Sequence, residues 1–206
     1  KDSRQSSETF RKSYPRLMER LKTKDILDPK NIFDITKESF KFLEDYFDIP
    51  YPYVKYDQVF VPEFNFGAME NVGCVTFTEH YIFQSRKLYV DYLNRANTIF
   101  HEMVHMWFGN LVTMKWWNGI WLNEAFATFM ATKAVADYKK EWNRWAQFSL
   151  EKSMALDIDS LDSTRAIEYP VISPSDADGM FDLITYEKGG SILRLSLIHI
   201  SEPTRR

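Results

Sequence analysis

The chain has 206 residues, 45% hydrophobic and 16% aromatic, enough to bury a sizeable core and too apolar for a disordered polymer. A net charge of −3 gives no field suited to nucleic acid or an anionic membrane, so neither is expected as a partner. The single cysteine, Cys74, excludes an internal disulfide framework and a CxxC zinc knuckle, and no apolar run reaches membrane-spanning length.

Residues 1–30 are polar, with nine Lys/Arg against five Asp/Glu and breakers at Pro15 and Pro29. Within them Phe10, Tyr14, Leu17, Met18 and Leu21 suggest a short amphipathic helix, and the whole stretch reads as a variable or inserted leading segment. From 31 to 48, Ile35, Phe42, Leu43, Tyr46 and Phe47 keep helical spacing. The run "IPYPYVKYDQVFVPEF" reads as extended chain ending in a strand near 56–61, and 66–83 alternates well enough for one or two more strands. Helices are predicted over 88–112, 122–138, 142–156 and 181–194, joined by loops such as "EYPVISPSDADG". Strands first and helices afterwards argue for an α+β architecture and against a doubly wound parallel sheet. The opening Lys1-Asp2-Ser3-Arg4 has no Met and no signal-peptide character, so the chain reads as a fragment.

The segment "FHEMVHMWFGN" (100–110) sets polar groups in an oily helix, which is costly unless each has a partner. Positions i and i+4 share a helix face, so His101 and His105 can point one ring nitrogen each at a common ion, with Glu102 beside them. A zinc site needs a third protein ligand, and "WLNEAF" offers Glu124 with 18 residues between it and His105. That gap suits a helix end, a turn through "TMKWWNG" and a second helix starting near Leu122, with Glu124 in its first turn. Two imidazoles and one carboxylate leave a fourth position for water, the arrangement of a catalytic and not a structural zinc. Glu102 is then placed to take a proton from that water, and a donor such as a tyrosine hydroxyl is needed for the developing oxyanion. The expected chemistry is amide hydrolysis with one zinc per chain. His80 and His199 read as surface or loop residues, Cys74 as a small packed residue, Lys188 as a solvated charge, and Trp116, Trp117 and Trp121 as packing beneath the turn between the ligand helices.

With "GAMEN" at 67–71, "HEMVH" at 101–105, "NEAF" at 123–126 and "ITYEKGG" at 184–190, in that order, the sequence resembles the M1 family of zinc aminopeptidases, the aminopeptidase N-like gluzincins, over about residues 31–195. The resemblance implies a thermolysin-like catalytic domain, incomplete at its C-terminus. It implies that His101, His105 and Glu124 hold zinc, that Glu102 is the general base, and that Tyr186 donates to the oxyanion. Glu70 would pair with the free α-amino group of a peptide substrate and so restrict cleavage to the first bond. Gly67 and Ala68 would let that backbone approach closely, Met69 would line the side-chain pocket, and Asn71, counted with the substrate-binding loop, has the stronger claim to holding its shape.

Family members are several times longer, with a β-rich domain before the catalytic one and a helical domain after it, so those domains are expected to be missing here. The last stretch, "LSLIHISEPTRR", does not continue the family pattern, and 196–206 reads as a non-native tail. Two other functions compete with the aminopeptidase. One is the family's epoxide-hydrolase branch, which typically carries Gly where this chain has Ala68; the other is a catalytically inactive fragment or binding module. One cysteine and no anchor segment favour a cytoplasmic location.

Overall fold

The computed structural model describes residues 27–201, which fall into two units, one ending at Met106 and the other beginning at Trp107. The helix expected around Phe10–Leu21 lies outside the described residues, as do residues 202–206.

In the first unit, helix α1 (Leu27–Phe47) begins ahead of its expected boundary because Pro29 falls in its first turn, where the missing N–H costs no helical bond. Asp48 ends it in a left-handed conformation, φ 52°, two residues before Pro50. Ile32, Ile35 and Leu43 are buried along one face, and α1 packs against α2 (Tyr89–His105). A buried ion pair ties the two helices together. Arg95 of α2, fully buried, donates from Nη1 to Asp28 Oδ1 at 2.5 Å and from Nη2 to Asn31 Oδ1 at 2.6 Å. The Phe83 ring covers the guanidinium at 4.1 Å, and the Phe83 N–H donates to Asp28 Oδ2 at 2.8 Å.

Between these helices in sequence lies a three-stranded sheet in the order β1-β3-β2. Strand β1 (Asp57–Val61) runs parallel to β3 (Cys74–Thr78), and the two-residue edge strand β2 (Ala68–Met69) pairs antiparallel with β3, Ala68 opposite Phe77 and Met69 opposite Thr76. Phe60 and Phe77 stack at 5.3 Å and, with Val59 and Val75, form the buried part of the sheet. The link from β2 to β3 turns at Gly73, φ 70°, with the Cys74 N–H donating to the Asn71 carbonyl at 3.0 Å.

Helix α2 stops at His105, earlier than the predicted 112. In the second unit, Trp107–Val112 forms a turn instead: Val112 N donates to Trp107 O at 3.0 Å and Gly109 N to Val112 O at 2.7 Å, with Gly109 at φ 132°, which an L residue resists. Helix α3 (Ile120–Tyr138) then carries buried residues all round, among them Ala125, Met130, Ala131, Ala134 and Val135, as a central helix must. Helices α4 (Arg144–Asp159) and α6 (Gly189–Ser201) pack against it. A short helix α5 (Pro174–Asp178) lies in a stretch expected to be loop; Pro174 at its first position and a Ser173–Asp176 capping box start it. The helix predicted over 181–194 is two pieces, a π-helical turn at Ile184–Lys188 followed by α6. A Cβ at Gly189 would lie 2.6 Å from the Ala125 Cβ, so glycine permits the close approach of that junction to α3. No described helix is long and apolar enough to cross a membrane.

Candidate active site

The last turns of α2 bring three titratable side chains to one place. His101 and His105 sit one turn apart, and their Nε2 atoms are 3.1 Å from each other, with the rings nearly perpendicular. Two nitrogens bound tetrahedrally to one zinc at ordinary bond lengths would stand about 3.3 Å apart, so the pair fits a shared ion. His105 is 1% exposed and Glu102 is buried beside it. Glu70, the residue after edge strand β2, reaches the same place: one carboxylate oxygen of Glu70, one of Glu102 and a ring nitrogen of His105 all lie within 4.8 Å of one another. Two carboxylates that close repel each other, a repulsion that a bound cation would relieve.

The edge-strand position of Ala68 and Met69 holds Glu70 there. Thr78 N donates to Gly67 O at 2.9 Å, and the Asn71 side chain donates to Thr76 Oγ1 at 3.3 Å, so the GAMEN segment is tied to β3 at both ends. Gly67 is exposed, and among the described residues a Cβ there would meet only the Tyr81 hydroxyl at an ordinary 3.7 Å. Packing among the described residues therefore does not demand glycine at 67.

Two tyrosines that sequence reasoning missed feel the charge of Glu102. Burial pushes the Tyr56 phenol well above its ordinary value, and the charge of Glu102 raises it further; the Tyr56 hydroxyl is buried without a hydrogen-bond partner among the described residues. Burial also raises Tyr81, against the lowering effect of its 2.8 Å hydrogen bond with Thr98, and Glu102 adds to the rise. Neither lies near HExxH in sequence, so only tertiary packing reveals them.

In the second unit, Glu124 is buried near the start of α3, in its second turn because that helix begins at Ile120, two residues ahead of Leu122. Its Oε1 accepts from the Asn123 side chain at 3.2 Å. Tyr186, half-buried, stands in the middle of the π-helical turn, where Lys188 N donates to Leu183 O at 3.1 Å. The extra residue of such a turn shifts side-chain directions relative to a continuous α-helix, and such turns recur at functional sites.

Several expectations need correction. Lys188 is not a solvated charge but pairs with Asp159 Oδ1 at 2.6 Å. Trp116 and Trp117 do not pack beneath the turn; they are 63% and 57% exposed. Cys74 is a free thiol, half-buried at the start of β3. His80 is exposed, as expected, with its Nδ1 3.0 Å from Thr78 Oγ1, while the His199 side chain lies outside the described residues.

The sequence pattern of the Peptidase family M1 domain matches residues 32–203. Aminopeptidase N of Streptomyces lividans is 45% identical over 179 residues, covering 85% of this chain and 21% of that protein. Probable aminopeptidase 2 of Sulfurisphaera tokodaii is 47% identical over 81% of this chain and 22% of its own length, and leucyl aminopeptidase of Saccharolobus solfataricus is 44% identical over 84% and 22%. The chain thus spans about a fifth of the length of these curated relatives. With its small mixed sheet, several helices and a match over most of its length, this chain belongs to peptidase family M1.

Proposed function

We propose that this chain carries the catalytic core of a zinc-dependent aminopeptidase, a thermolysin-like domain that removes single residues from the free N-terminus of peptides. The observation that carries the reading is the cluster in the first unit: paired imidazole nitrogens 3.1 Å apart with the carboxylates of Glu102 and Glu70 beside them. His101, His105 and Glu124 would hold one zinc. Bound there, the metal would lower the pKa of a water to roughly 7 and polarise the scissile carbonyl.

The chain's own residues do the rest. Glu102, buried beside His105, accepts the proton of the attacking water on its carboxylate and returns it to the departing amine. The Tyr186 hydroxyl donates to the oxyanion that forms on the carbonyl oxygen. Glu70 pairs with the substrate ammonium, and its short, fixed distance from the His105 ring admits only the first peptide bond. Gly67, where packing among the described residues does not require glycine, leaves room for the substrate backbone, with Ala68, Met69 and Asn71 completing that wall.

The intact enzyme should cleave aminoacyl-arylamides and spare their N-acetylated forms. Comparable rates on both would remove the role given to Glu70.

A further inference from the structure

We infer that Arg165, acting through Asp182 and Thr185, is a positioning residue that holds the π-helical turn carrying Tyr186 in its working register. A π turn is a rare geometry beside the α-helix, so contacts from outside the turn that fix its register carry weight. Arg165, in the loop after α4, supplies that hold. Its Nη2 donates to Asp182 Oδ1 at 2.6 Å and to Thr185 Oγ1 at 2.8 Å, and its Nε donates to Asp182 Oδ2 at 3.2 Å. Asp182 Oδ1 in turn accepts the backbone N–H groups of Ile184 at 3.0 Å and Thr185 at 3.1 Å, the two residues immediately before Tyr186. Tyr186 N itself donates to Asp182 O at 3.1 Å. The guanidinium is anchored on its own loop by bonds from Nη1 to Ala166 O at 3.0 Å and Ile167 O at 3.4 Å. Thr185 is fully buried, so its hydroxyl depends on this donor. A planar fork serves both acceptors at once; an ammonium in its place would not.

The inference rests on the reading of Tyr186 as oxyanion donor, and a double-mutant cycle in the intact enzyme separates the two. With an aminoacyl-arylamide substrate, Arg165→Met should lower kcat on the order of 10–100-fold with KM nearly unchanged, since a displacement of about 1 Å suffices for such a loss. Arg165→Lys should recover part of it. In a Tyr186→Phe background the same Arg165→Met change should cost less than about threefold, because the group it positions is gone. An equal loss in both backgrounds, or an unchanged kcat for Arg165→Met, overturns the inference alone. Wild-type kcat in Tyr186→Phe overturns the donor reading and this inference with it. If Arg165→Met does not fold, Thr185→Val keeps the volume and removes one acceptor. It should lower kcat several-fold with the same non-additivity, and an unchanged kcat there refutes the positioning role.

Discussion

Replacing Glu187 by Gln probes the electrostatics of the turn that carries Tyr186. Burial pushes the Glu187 carboxyl from its ordinary 4.5 up to about 7, and the nearby charge of Glu151 pushes the same way. Its own backbone N–H and Arg144 oppose the rise, while Asp182 adds to it. Oε2 is buried without a hydrogen-bond partner among the described residues, which suits a carboxyl that keeps its proton. Because the folded value lies above the unfolded one, the unfolded chain releases this proton first. The stabilising contribution is complete below 4.5 and drains away as pH rises through about 7. The gap between 4.5 and about 7 corresponds to about 3 kcal/mol. Glu187→Gln removes the titration, so the variant should gain up to about 3 kcal/mol on the wild type between pH 4.5 and 8, nearly all of it by pH 7. Urea unfolding of both proteins at intervals across that range reads the difference directly. Stability curves that run parallel would refute the burial argument.

Three further outcomes are expected. Glu102→Ala should retain its metal while turnover in the intact enzyme falls by about 10²–10⁴-fold, read from metal content and kcat on the same preparation. Gly189→Ala forces a Cβ to 2.6 Å from that of Ala125 and should cost about 1–3 kcal/mol in chemical unfolding; no cost would mean that the junction with α3 is looser than described. Asp28→Ala strands the fully buried Arg95 guanidinium and should destabilise by about 3–5 kcal/mol, whereas Lys30→Ala, which breaks an exposed i, i+4 pair with Asp34, should change little.

What could be read without coordinates was whatever repeats with a local period. The i, i+4 spacing of His101 and His105 put both rings on one helix face, and the alternation before Thr78 marked the strands. Helix ends were legible only where a breaker was noticed. Gly109 marks the turn that follows α2, yet the apolar run around it suggested more helix. Ser173-Pro174 with Asp176 is a capping signal that a proline-rich loop obscured. The π turn slips the helical period by one residue over only Ile184–Lys188, too short a stretch for periodicity to show it. Tyr56 and Tyr81 reach the neighbourhood of Glu102 through packing alone, and the network from Arg165 to Thr185 spans 20 residues with no motif to announce it. Lys188 looked like an ordinary surface charge because its partner, Asp159, is 29 positions away.

The metal content of the purified protein, measured by atomic absorption beside His105→Ala, probes most directly whether the imidazole pair exists to grip a divalent cation. One zinc per wild-type chain, lost in the variant, is the expected result. A wild-type protein that stays metal-free in the presence of zinc, or a variant that retains zinc equally, contradicts the account.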